Sequence, residues 1–328
     1  MPAAQRAASR PRLPSAPRRE SWRHRHLLGL EDCSPGEILT LLDRAASFRD
    51  EKGGLKRGSD LKGRVVCLCF FESSTRTSNS FSQAAKRLSA DVMAVNVAAS
   101  SVNKGETLTD TARNLEAMGA DIVVLRHPAP GAPHLLSARL QASVVNAGDG
   151  AHEHPTQALL DMLTIRDRFG SLKGLKVAIV GDIAHSRVAR SSIWGMTKLG
   201  IKVTVVGPAT LIPRGIETMG VEVCHDIDQV LSSADVLSFL RIQLERQAVG
   251  SSPFPSLREY SRLYGMNAER AARMKPEAIV MHPGPVNRGV EITPDVADGP
   301  RSVILKQVTN GLAVRMAALA LVTEAAAA

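Results

Sequence analysis

Short apolar runs recur along the chain with amphipathic stretches between them, a pattern that predicts parallel strands joined by crossover helices. In the first half the runs predict strands near Val65–Phe71, Val92–Val97, Asp121–Arg126 and Ser143–Asn146, with helices between them at about Ser80–Leu88, Thr107–Met118 and Pro133–Gln141. A second series of strands comes at Lys176–Gly181, Lys202–Val206, Val221–Cys224, Val236–Phe239 and Ala278–His282. Strands that read as unbroken apolar runs are covered on both faces, so the fold class is α/β, with two doubly wound parallel-sheet domains joined by interdomain helices. The boundary falls near His154–Asp167, where a helix opening at Pro155 carries Ala158, Leu159, Met162, Leu163 and Arg166 away from the first series. The last segment, Asn310–Glu324, is apolar at Leu312, Met316, Leu319 and Ala320, a helical spacing that leaves open which domain it packs against.

Composition narrows the classes of function. The 328 residues carry 41 Lys plus Arg against 32 Asp plus Glu, a formal charge of +9, and are 44% hydrophobic. Residues 1–25 hold seven arginines and one acid, so most of the excess charge belongs to the start of the chain and the remainder offers little to nucleic acid. Residues 1–21, rich in Ala, Pro, Ser and Arg, are expected to be a disordered basic extension. Their prolines at 2, 11, 14 and 17 argue against the amphipathic helix of an organelle transit peptide. No run reaches the roughly 18 apolar residues expected of a membrane span, and a cytoplasmic protein is expected. Cys33, Cys67, Cys69 and Cys224 include no Cys-x-x-Cys pair, and Cys67 and Cys69 alternate with Val66 and Leu68 as reduced core residues would.

In doubly wound sheets ligands bind beyond the carboxyl ends of strands, so the residues just after each strand are the candidates for chemistry. Phe71 is succeeded by Glu-Ser-Ser-Thr-Arg-Thr-Ser, Leu125 by Arg126-His127-Pro128, Leu240 by Arg241 and Gln243, and Met281 by His282-Pro283-Gly284-Pro285. The run from Ser73 to Ser78 places five hydroxyls and a guanidinium at a strand-to-helix turn, where free backbone N–H groups meet an incoming anion. Taken alone, such a run is equally a capped helix start with a solvated arginine. It is not a Walker loop, because Gly-x-x-x-x-Gly-Lys is absent. A nicotinamide oxidoreductase is disfavoured in turn, since Val177–Arg187 contains only Gly181 where a dinucleotide fingerprint needs three glycines.

Phe70-Phe-Glu-Ser-Ser-Thr-Arg-Thr77 resembles the phosphate signature of the aspartate/ornithine carbamoyltransferase family, and His154-Pro-Thr-Gln157 resembles its second signature. Ser100–Thr107 and Arg126-His-Pro128 are similar to two further elements in the same order, and the resemblance runs from about Trp22 to Glu324. Within the family, Arg241-Ile-Gln243 and the run from His282 to Glu291 look like the aspartate branch; the Ser-Met-Gly and His-Cys-Leu-Pro elements of the ornithine branch are absent. The resemblance implies a carbamoyl-phosphate-binding domain over 22–154, joined by the C-terminal helix 306–324, and an aspartate-binding domain over 155–305. It implies transfer of the carbamoyl group of carbamoyl phosphate to L-aspartate in de novo pyrimidine biosynthesis, with neither metal nor organic cofactor.

By motif, Ser74, Thr75, Arg76 and Thr77 would hold the phosphate. Thr77, Arg126 and His154 would surround the oxygen on which charge grows. Gln157 and the main-chain carbonyls at Pro283 and Gly284 would fix the carbamoyl NH₂, and Pro285, preceded by a cis peptide, would belong to the same carbamoyl phosphate site. Arg187, Arg241 and Gln243 would bind aspartate, the two arginines suiting its carboxylates. Lys104 would contact both substrates and, with Ser100, would come from a neighbouring chain of a homotrimer with shared active sites. Ser101 is an alternative to Ser100, Gln243 reads equally as a surface residue, and His127, His134, His152, His185 and His282 are read as structural. Rival readings are a carbamoyltransferase for another amine and a non-catalytic scaffold paralogue. A dihydroorotase or a metal-bearing regulatory chain, if present as a partner, would be a separate polypeptide.

Overall fold

A computed structural model describes residues 19–51, 53–96, 105–243 and 256–327. Strands β1 (Val65–Phe70), β2 (Asp91–Asn96), β3 (Ile122–His127) and β4 (Ser143–Asp149) form a four-stranded sheet in the order β2-β1-β3-β4. Strands β5 (Lys176–Val180), β6 (Lys202–Val206), β7 (Glu222–Cys224), β8 (Val236–Phe239) and β9 (Ile279–Met281) form a second in the order β7-β6-β5-β8-β9. Every pairing in both sheets is parallel. The helices of the first part are α1 (Pro35–Ser47), α2 (Thr75–Arg87), α3 (Leu108–Ala117) and α4 (Ala132–Ser137), with α5 (Pro155–Phe169) leading to the second sheet. Around that sheet lie α6 (Arg187–Lys198), α7 (Leu257–Tyr264), α8 (Ala268–Ala272) and α9 (Pro294–Ala297), and α10 (Ile304–Ala327) closes the chain.

The alternation of side chains along each strand assigns the two faces of each sheet to different cores. Val66 and Leu68 join one apolar cluster while Cys67 and Cys69 join another with Val123, Leu125 and Val144. Val177 and Ile179 likewise face the large central cluster, and Ala178 and Val180 face a third. Cys67 and Cys69 are free thiols, pushed up to about 12 by burial, so the pair is core rather than ligand. The central cluster includes residues of both sheets and of α1, α2, α5, α6 and α10, and so joins the two halves through shared apolar surface.

Several expectations are corrected. Helix α2 begins at Thr75 rather than Ser80, because its first turn is polar and invisible to an apolar periodicity. Helix α10 is long and apolar enough, by length and composition alone, to cross a membrane, although Lys306, Arg315 and Glu324 interrupt its apolar residues. It is a core helix: it packs against α1, α2, α5 and β4 and buries Met316, Leu319 and Leu321. Residues 19 and 20 of the expected disordered extension contact α1 and its cap, where Arg19 pairs with Asp43 and the Thr40 and Ser34 hydroxyls donate to Glu20. Residues 1–18 fall outside the described residues.

Candidate active site

Each strand order contains one switch point, between β1 and β3 in the first sheet and between β5 and β8 in the second. A crevice opens at the carboxyl ends of such neighbours, because their crossovers leave in opposite directions. The segment after β1 contains Ser74–Thr77, β3 carries Arg126 near its end, β5 leads to Arg187 and β8 to Arg241. The two crevices merge in one cavity of about 1050 Å³. Its wall includes Ser74, Thr75, Arg76, Thr77, Arg126, His154, Gln157, Arg187, Arg241, Gln243, Gly284 and Pro285, all of them read from the sequence. Ser100 and Lys104 lie outside the described residues.

Two helices aim their amino ends at this cavity. Ser74 is the N-cap of α2 and His154 that of α5; neither makes a side-chain capping bond, and neither first turn holds an acid. Both ends therefore keep unsatisfied N–H groups and positive dipole potential for an anion. His154 is held in place from behind: its backbone N–H donates to Ser191 Oγ at 2.8 Å, and that hydroxyl donates to Glu153 at 2.6 Å. Glu153 also accepts from the backbone of Leu30 and Glu31, which ties the turn to the amino-terminal segment.

The electrostatics favour negative ligands. Burial and the neighbouring Arg241 hold Arg76 below the ordinary guanidinium value. Burial together with the charges of Arg76 and Arg241 depresses His282 to about 3, so this ring is neutral across the physiological range. Its Nδ1 accepts the Gly284 N–H at 2.8 Å, which fixes the turn carrying the cis Gly284–Pro285 bond. At Gly284, with φ +68°, an added Cβ would lie 3.0 Å from the Arg76 guanidinium carbon; the bare backbone lets that side chain pass.

One site residue escaped the sequence reading. Glu72 accepts from Arg187 Nη2 at 2.7 Å and lies 3.3 Å from Arg126 Nε, linking a cation after β5 to one near the end of β3. It stands inside the phosphate motif, and an acid within a motif for anions was the available signal. Arg187 is 4% exposed, and its Nη1 has no hydrogen-bond partner among the described residues, which equips it for a ligand carboxylate.

Fold and cavity together define a two-domain α/β protein with an arginine-lined cavity between two parallel sheets. The chain belongs to the aspartate/ornithine carbamoyltransferase family: residues 25–167 match its carbamoyl-P binding domain and residues 173–322 its Asp/Orn binding domain. It is 56% identical over 305 residues to the aspartate carbamoyltransferase catalytic subunit of Syntrophus aciditrophicus (strain SB), covering 93% of this chain and 99% of that one. To the same subunit of Halothermothrix orenii it is 58% identical over 298 residues, covering 90% and 95%. Among solved structures, Trypanosoma cruzi aspartate transcarbamoylase in complex with carbamoyl phosphate and aspartate superposes with TM-score 0.83 at 35% identity, covering 93% of this chain and 99% of that one. The same enzyme with carbamoyl aspartate and phosphate matches at TM-score 0.83 and 34% identity, covering 94% and 99%.

Proposed function

We propose that the protein is an aspartate carbamoyltransferase, which converts carbamoyl phosphate and L-aspartate to N-carbamoyl-L-aspartate and phosphate, a step of pyrimidine synthesis. The observation that carries this reading is the convergence of Arg76, Arg126, Arg187 and Arg241 with two helix amino ends on one cavity. Ser74, Thr75, Arg76 and Thr77 bind the phosphate, and Arg187, Arg241 and Gln243 bind the dicarboxylate. The aspartate amine attacks the carbamoyl carbon, charge builds on the carbonyl oxygen beside Thr77, Arg126 and His154, and the C–O bond to phosphate breaks with its electron pair leaving on phosphate. The departing phosphate is available to take the amine proton. No side-chain nucleophile enters the scheme; the rate enhancement comes from positioning two anions and from fixed positive charge.

Family membership supports a homotrimer in which Ser100 and Lys104 of a neighbouring chain complete each site. A cytoplasmic location is also proposed, and the four free cysteines, three of them buried, agree with a reducing compartment. The defining experiment is an assay with carbamoyl phosphate and aspartate on the wild type and Arg76→Ala. The variant is expected to lose at least roughly a hundredfold in rate, and an unchanged rate would remove the proposed phosphate site. Profiling aspartate against ornithine and related amines checks the acceptor.

A further inference from the structure

A polar chain runs through the wall of the cavity, which His282, Gln307 and Gln157 line, and it starts at a group whose polarity is beyond choice. The backbone N–H of His282 can only donate, and it donates to Gln307 Oε1 at 3.0 Å. Gln307 must then turn its NH₂ the other way, and Nε2 donates to Asp161 Oδ1 at 2.7 Å. That oxygen is thereby an acceptor, and Gln157 meets the same atom at 3.0 Å, so it too presents Nε2. Its remaining amide atom, Oε1, is left for the cavity that Gln157 lines.

We infer that Asp161 is a positioning residue that locks the Gln157 amide with its oxygen toward the substrate, so that the site selects an NH₂ group over a methyl group at the carbamoyl position. An Asn or Gln amide is free to flip wherever its partners permit either orientation. Here the partners forbid it, through a relay of Asp161, Gln307 and the His282 backbone in which each link has one allowed direction. Asp161 is 1% exposed and Gln307 2%, so water does not compete for these bonds. Burial pushes the Asp161 carboxyl up to about 7, opposed by the bonds from Gln307 and Gln157 and by the charge of Arg315; a proton on Oδ2, which has no partner among the described residues, leaves Oδ1 an acceptor all the same. A carbamoyl group offers N–H donors where an acetyl group offers only C–H, and only an acceptor distinguishes the two.

The inference rests on the proposed carbamoyl phosphate site, and the test separates the two. Phosphonoacetamide and acetonylphosphonate differ only in NH₂ against CH₃; their affinities, with inorganic phosphate as control, are measured by calorimetry on the full-length oligomer. The wild type is expected to prefer phosphonoacetamide by about tenfold, the scale of one well-made hydrogen bond. Asp161→Leu is expected to reduce that preference to about twofold or less, with phosphate affinity unchanged. Asp161→Asn keeps an acceptor at Oδ1 and should restore the preference to within about threefold of wild type. If Asp161→Leu does not fold, Gln307→Leu, which cuts the relay one link earlier, is expected to lose part of the preference. Full preference in Asp161→Leu, or in Gln307→Leu where that variant carries the test, overturns this inference alone. Failure of the wild type to bind either phosphate or phosphonoacetamide overturns the proposed function and this inference with it.

Discussion

At the scale of single residues, the cavity depends on places where a side chain is missing as much as on those where one is present. Gly148, the penultimate residue of β4, has φ +117°, and an added Cβ would sit 3.0 Å from Arg187 Nε and 3.1 Å from its guanidinium carbon. Arg187 therefore runs over bare backbone on its way to Glu72. Gly148→Ala is expected to displace that guanidinium and to cost of the order of 1–3 kcal/mol in backbone strain. The measurable outcome is a rise of about tenfold or more in the KM for aspartate, with carbamoyl phosphate affinity little changed, because Arg76 and the end of α2 are not touched. Equal losses for both substrates would mean that Gly148 supports the whole cavity instead of one arginine.

At the scale of elements, the amino end of α2 trades helix stability for ligand binding. Five other helices are capped by a side chain: Ser34 and Glu37 form a reciprocal capping box at α1, and Thr107, Ser186, Ser256 and Asn267 accept from the first turns of α3, α6, α7 and α8. Ser74 does not cap, and its first turn holds nothing acidic. Ser74→Asp would supply a capping carboxylate and a favourable charge against the helix dipole, worth about 0.5–1 kcal/mol. The same carboxylate would stand where phosphate is held. The variant is expected to melt at the same temperature as wild type or slightly higher, while phosphate binding in a calorimetric titration falls at least roughly a hundredfold. Retained phosphate binding would show that this helix end is not the cradle.

At the scale of the whole molecule, each half of the cavity belongs to a different sheet, and the halves meet through the Glu72 to Arg187 contact and the shared central core. A third contributor is proposed from a neighbouring chain. Mixing Arg76→Ala with Lys104→Ala protein, each inactive alone, should therefore restore activity in hybrid oligomers that pair an intact Arg76 with an intact Lys104 from the adjacent chain. Absence of any recovery after verified subunit exchange would place Lys104 in the same chain's site.

Much of this arrangement was legible in the chain itself. Apolar runs with turn residues after them located the strands, and the rule that ligands sit at strand ends, together with the family motifs, pointed to Arg76, Arg126, Arg187 and Arg241. Those signals are local, because each needs only a few consecutive residues. What the sequence could not reveal was which distant polar groups pair in the interior. Asp161 and Gln307 stand 146 positions apart, and α5 is buried on nearly every side along most of its length, so an acid there leaves no trace in an amphipathic pattern. The polar first turn of α2 was missed for a related reason, since its residues face a cavity instead of an apolar core. Sequence by itself determined the strands, the family and the cations of the site. Tertiary structure alone decided the direction in which buried amides point, because that depends on hydrogen-bond partners brought together only when the two halves pack.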